Sequence, residues 1–160
     1  MYHIGIDPGK KGGISILSEA DNQFVSMLPM PDGVEPLADA LLRFRKFDSN
    51  IMAWVEKAQT MPKQGIVSAF SYGQHFGEIL AILALLQIPY SLVAPNRWTK
   101  VMHRNSGVAG KDAKKKSRVI AKRLYPRESF LATDRSKVPH EGMVDAVLIA
   151  RFGLQFGRDR

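Results

Sequence analysis

Three short β-prone runs open the chain. Tyr2-His3-Ile4-Gly5-Ile6 stops at Asp7, the Pro- and Gly-containing turn Pro8–Gly13 follows, and Ile14-Ser15-Ile16-Leu17 resumes the pattern. Gln23 to Leu28 makes a third run, ended by Pro29, Pro31, Asp32 and Gly33. The pattern predicts an antiparallel meander with Asp7 at a strand's exposed end beside a tight hairpin. Helical spacing then takes over from Glu35 to Phe47, with Leu37, Ala40, Leu41, Leu42 and Phe44 apolar and Arg43, Arg45 and Lys46 near the end, where cations suit the helix dipole. Asp48-Ser49-Asn50 breaks it.

Ile51-Met52-Ala53-Trp54-Val55-Glu56 repeats the design of the first strand, an apolar run closed by a carboxylate. Lacking polar alternation, it reads as a strand covered on both faces, parallel to the first and beside it, so that both acids project from one sheet edge. Lys57 to Ile66 is a polar loop. A long helix starts at Val67, runs through Phe70, Phe76, Ile79, Leu80, Ile82, Leu83 and Leu86, and ends before Pro89. Gly73 and Gly77 lower its propensity and point to close packing of another backbone. Tyr90 to Ala94 is a fifth strand, followed by Pro95-Asn96-Arg97-Trp98-Thr99-Lys100, to which the pattern assigns no element. After the loop Asn105–Gly110 come a basic helix from about Lys111 to Tyr125, a polar loop to Pro139, and a last helix from His140 to about Phe156. The expected class is α/β: a five-stranded mixed sheet, antiparallel meander plus two parallel strands, flanked by helices in one domain spanning 1–160.

Composition narrows the chemistry. With 160 residues and 45% hydrophobic content the chain can bury one core, and with no cysteine it has neither disulfides nor thiolate metal sites. No leader and no membrane-length apolar run is read from the sequence, so an intracellular, cytoplasmic protein without a membrane partner is expected. The net charge of +8 is concentrated: Arg97 to Arg123 holds ten Lys or Arg against the single acid Asp112. Such a cluster is either a solvated face or a polyanion-binding one, and its company in the same domain as an acidic constellation favours nucleic acid.

That constellation has four members. Glu141 and Asp145 are i and i+4 on the last helix, on the stripe that continues through Leu148, Ile149 and Phe152 and is expected to pack on the sheet. Acids in a first helical turn also simply favour the dipole. Together with Asp7 and Glu56, however, they supply hard oxygens from three separate segments, a donor set suited to magnesium or manganese. Two such ions roughly 4 Å apart clamp the attacking and leaving oxygens of an in-line phosphoryl displacement. The assignment is Asp7 as bridging ligand, Glu56 to one ion, and Glu141 with Asp145 to the other, with water as the attacking group. His140 has three available roles: activating water, contacting a phosphate, or starting the helix. With Val at position 144 the zinc-protease pattern is absent.

The motifs Ile4-Gly5-Ile6-Asp7-Pro8-Gly9, Val55-Glu56, Tyr72-Gly73-Gln74-His75-Phe76-Gly77, Pro95-Asn96-Arg97-Trp98, Lys111-Asp112-Ala113-Lys114 and His140-Glu141-Gly142-Met143-Val144-Asp145-Ala146 resemble, in order, those of RuvC-type Holliday junction resolvases, especially the versions carried by bacteriophages. The resemblance covers nearly the whole chain. It implies a ribonuclease H-like fold, a homodimer that suits the glycine-bearing helix, magnesium-dependent cutting of four-way DNA junctions by paired nicks, and a tetrad of Asp7, Glu56, Glu141 and Asp145. Two positions depart from bacterial members: the last two acids are four apart rather than three, which leaves His140 competing with Glu141 as the additional metal ligand, and the aromatic wedge position falls on Gln59, which passes junction opening to Met61 or Phe70.

Lys111, Lys114, Lys115 and Arg118, with Lys10, Arg97 and Lys100, are the expected DNA contacts. The rivals are a ribonuclease H-like nuclease acting on RNA or an RNA–DNA hybrid, and a non-catalytic branched-DNA-binding module. A sugar-kinase or actin-like ATPase shares the first turn but needs two such domains.

Overall fold

A computed structural model describes residues 1–20, 23–47, 50–59, 65–104 and 106–157. Met61 lies outside them. The elements run β1 (Tyr2–Asp7), β2 (Gly13–Ser18), β3 (Phe24–Pro29), α1 (Val34–Phe47), β4 (Ile51–Glu56), α2 (Ile66–Leu85), β5 (Tyr90–Val93), α3 (Pro95–Met102), α4 (Ala113–Leu124) and α5 (Glu141–Phe156). The sheet order is β3-β2-β1-β4-β5. β1 pairs antiparallel with β2 and parallel with β4, which pairs parallel with β5. The mixed sheet expected from the hydrophobic pattern is therefore the one observed.

Alternation along the central strands sorts the core into two layers. Ile4, Ile6, Ala53 and Val55 face α1 and α2, joining Leu37, Leu41, Ile79 and Leu83. Trp54, Leu17 and Val93 face the other way, onto Trp98, Ile120, Val147 and Ala150. On that side α5 lies across β1 and β2, with α3 and α4 packed outside it. Enclosed from both directions, α5 is buried well beyond the single expected stripe; Val144, Ala146, Val147, Ala150 and Leu154 are covered as well. Glycine makes the approach feasible, since a Cβ on Gly5 would come within 2.0 Å of the Ala146 carbonyl oxygen.

α3 is the element that the hydrophobic pattern did not anticipate. Pro95 presets the first turn of the helix and lacks only an N–H that no partner needs. Trp98 and Met102, i and i+4, then anchor the short helix in the core. α2 differs in another way. Of its 20 residues only Ile79, Ile82 and Leu83 are buried, and Ile66, Val67, Phe70 and Leu85 are 88%, 81%, 72% and 82% exposed.

Candidate active site

Ile6 pairs with Val55, so Asp7 and Glu56, one residue further along, end adjacent parallel strands at the same edge. The start of α5 is brought to that edge by a close backbone approach. A Cβ on Gly142 would stand 2.3 Å from the Lys11 carbonyl oxygen, so only glycine lets the helix rest on the β1–β2 turn that follows Asp7. Asp145 then falls within electrostatic range of both strand acids.

Three of the four acids share one environment. Burial, then the charges of Glu56 and Asp145, hold the Asp7 carboxyl well above the usual carboxylate range. Glu56 is raised mainly by burial, with Asp145 adding and a hydrogen bond from Trp98 opposing. Asp145 is pushed up to about 6, by burial first, against a hydrogen bond from Ser117. Its Oδ1 is buried with no hydrogen-bond partner. An orphaned carboxylate oxygen among mutually repelling acids is costly to keep dry, and oxygen donors of this kind suit a divalent cation such as Mg2+, although the described side chains as they stand are not drawn together into a ligand set.

Glu141 stands apart. It accepts hydrogen bonds from Lys114 Nζ and from Arg118 Nη2, the latter at 2.8 Å, and these cations hold its carboxyl below the usual range. Among the described residues, no group of three or more His, Asp or Glu is arranged to hold a metal ion. The cluster is thus three inward acids and a fourth turned to the basic helix. His140 is the N-cap of α5, its Nδ1 accepting from the Met143 N–H at 3.3 Å.

Side chains that carried no role in the sequence support the acids. Trp98 donates from Nε1 to Glu56 Oε2 at 2.6 Å, and its ring meets that of His103 edge-on with centroids 5.8 Å apart. His103 Nε2 lies 3.0 Å from Ser117 Oγ, so α3 and α4 reach both Glu56 and Asp145. Burial and the charges of Glu56 and Asp7 push the Tyr72 phenol up to about 12, which keeps it a hydrogen-bond donor. The clue was Trp98 within a motif; an indole N–H buried after a strand needs an acceptor.

The basic residues divide. Lys10 and Lys11 sit exposed on the turn beside Asp7, while Lys111, Lys114, Lys115 and Arg118 are exposed on and before α4. Asp112 caps that helix, accepting from the Lys115 N–H at 2.9 Å. On α3, Lys100 is exposed, and the Arg97 guanidinium lies over the Phe152 ring, 5.8 Å from its centroid.

No family model and no curated protein sequence matches the chain. Solved structures do. A structure described as T. thermophilus RuvC in complex with Holliday junction substrate aligns with a TM-score of 0.65 at 14% identity, covering 99% of this chain and 96% of that one. A second, a Thermus thermophilus RuvC structure, aligns with a TM-score of 0.61 at 15% identity, covering 98% and 97%. With the strand order, the parallel β1–β4 pair and α5 laid across the sheet, these alignments show that the chain has the RuvC-type, ribonuclease H-like fold.

Proposed function

We propose that this chain is a single nuclease domain that resolves four-way DNA junctions by paired nicks, hydrolysing phosphodiesters with two divalent cations. The observation that carries the reading is the trio Asp7, Glu56 and Asp145: three half-buried acids with raised pKa values, gathered at the strand edge of a fold whose neighbour is described as bound to a Holliday junction. A merely structural cluster of this kind would weaken the fold.

Asp7, Glu56 and Asp145 would hold the ions, with Glu141 joining them once it leaves Lys114 and Arg118. Mg2+ is the expected metal and Mn2+ its substitute. When bound, such ions offset charge at the phosphorus centre and lower the pKa of water. The chain's own residues do the rest. Trp98 holds one oxygen of Glu56 in place, and the other would be the one to meet a cation. Lys114 and Arg118, relieved of Glu141, bind backbone phosphates, as do Lys111 and Lys115. Arg97 and Lys100 extend this surface along α3, and Lys10 flanks the cut strand. The position of His140 as a helix cap favours its structural role.

A junction has two equivalent cutting points, so a two-fold dimer is the natural form of the enzyme. The exposed apolar face of α2 supports it: Ile66, Val67, Phe70 and Leu85 stand around Gly73 and Gly77, where an added Cβ would meet nothing within 4 Å. Phe70 is also the described candidate for opening the junction. No described helix is long and apolar enough to cross a membrane.

The test is a Mg2+-dependent nicking assay on a labelled four-way junction beside linear duplex and an RNA–DNA hybrid. Paired symmetric nicks in the junction alone are expected. Cutting of the hybrid alone would transfer the site to an RNA substrate, and junction binding without cutting would leave a binding module.

A further inference from the structure

Two polar side chains beside the acids, Ser117 and His103, take no part in the proposed reaction, yet both are tightly placed. Ser117 is 4% exposed on α4. His103 caps the C-terminal end of α3, its backbone N–H bonded to the Thr99 carbonyl and its ring edge-on to that of Trp98. A single turn of α4 therefore reaches both acids of α5 in opposite senses. Lys114 and Arg118, on its exposed side, pair with Glu141, while Ser117, on its buried side, gives a hydrogen bond to Asp145.

Counting protons gives this contact a direction. A serine hydroxyl has one proton to donate, and an ionised carboxylate can only accept. With Asp145 ionised, as a cation ligand must be, the Ser117 proton goes to Asp145, and Oγ is left to accept from His103 Nε2, 3.0 Å away. Nε2 then carries a proton whether the ring is neutral or charged. Burial and the nearby Lys116 ammonium lower the pKa of His103, so near neutral pH the ring has one proton, and the bond to Ser117 fixes it on Nε2. The chain runs from His103 Nε2–H to Ser117 Oγ–H to the Asp145 carboxylate, whose Oδ1 stays buried and without a hydrogen-bond partner. Trp98 acts in parallel on Glu56, donating to Oε2 at 2.6 Å.

We propose that Ser117 and His103 are positioning residues for the metal-binding acids: His103 orients the Ser117 hydroxyl, and Ser117 holds Asp145 so that its unpartnered oxygen is presented to a cation. Together with Trp98 on Glu56, they make α3 and α4 a two-armed brace, one arm for each acid. Such a brace lowers the cost of ordering the ligands when the cation binds. The inference rests on the proposed nuclease reading.

The test uses Mn2+ as the probe, with the free ion counted by electron paramagnetic resonance in DNA-free protein. Ser117→Ala removes the hydroxyl, and alanine favours the helix, so the basic face of α4 is kept. Mn2+ affinity should fall about tenfold, the usual effect of losing a residue that orients a ligand, while junction affinity in gel shifts without divalent cation stays at the wild-type level. At position 103, His103→Phe keeps a ring against Trp98 and loses the N–H, whereas His103→Gln loses the ring and retains an amide N–H. H103F should bind Mn2+ as weakly as S117A, and H103Q should recover most of the affinity. A packing role alone predicts the reverse order. Wild-type affinity in S117A, equal losses of Mn2+ and junction affinity, or H103F binding better than H103Q overturns the brace and leaves the nuclease reading standing. A wild type that binds no Mn2+ overturns both. A readout that needs neither metal nor variant is the proton–nitrogen correlation spectrum of the His103 ring near neutral pH. A proton on Nε2 is expected, and one on Nδ1 alone overturns the chain.

Discussion

Asp7 and Glu56 close two buried strands, and among the described residues neither forms an ion pair with a Lys or Arg, whereas Glu141, at the surface start of α5, is shared between Lys114 and Arg118. Burial raises the first two, and cations lower the third. The contrast teaches that a carboxylate's type says little until its surroundings are known. The inward acids repel one another, a cost that a bound cation would relieve, and the outer one is already neutralised by Lys114 and Arg118. In the proposed enzyme, a phosphate competing for Lys114 and Arg118 would free Glu141 and so link arrival of the substrate to completion of the acid set.

The strongest way to break this contrast is Asp7→Asn. Nicking should fall about 10³-fold or more, because an inward metal ligand is lost, while junction affinity measured by gel shift stays near wild type. Wild-type-like cutting by D7N would remove the inward half of the proposed site. Next comes Trp98→Phe, which deletes the donor to Glu56 and keeps a ring in the core. Metal affinity by calorimetry should drop about 10- to 100-fold, as for other residues that orient a ligand. Lys114→Ala should weaken junction binding moderately and reduce the slope of log affinity against log salt by about 1, a signature of a phosphate contact.

The pH prediction follows from the sign of the shifts. A carboxyl whose folded pKa is raised stabilises the fold while protonated and loses that contribution as pH rises from its unfolded value of about 4 through its folded one. For Asp145, at about 6, thermal stability of the metal-free protein should fall across that window, and added Mg2+ should raise Tm more at pH 7.5 than at pH 5. The outer acid should show the least. Glu141→Gln breaks surface pairs of little net worth, so Tm in calorimetry should hardly move, although nicking still declines.

Much of this was legible in the residues. Apolar runs ending on Asp7 and Glu56 reported two parallel strands and one shared edge, because a strand's period and its terminator are local properties. The i, i+4 spacing of Glu141 and Asp145 correctly put them on one helix, yet it could not separate their fates. Which acid turns inward depends on α4 packing beside α5, a contact between residues more than 20 apart. α3 escaped for a related reason: eight residues give too few turns for a hydrophobic period, and its identity lies in Pro95 and in the burial of Trp98. The role of Trp98 toward Glu56 joins positions 42 apart and leaves no mark in spacing.

The seating of α5 on Gly5 and on the β1–β2 turn also sets a condition. Asp7 and Glu56 are brought together by the pairing of β1 with β4, but Asp145 reaches Asp7 only across more than a hundred residues, when the helix docks. Closing so long a stretch of chain costs more conformational entropy than pairing the strands. A chain in which α5 has not docked has two acids together and no third, so under the proposed reading cutting of DNA would require the finished fold.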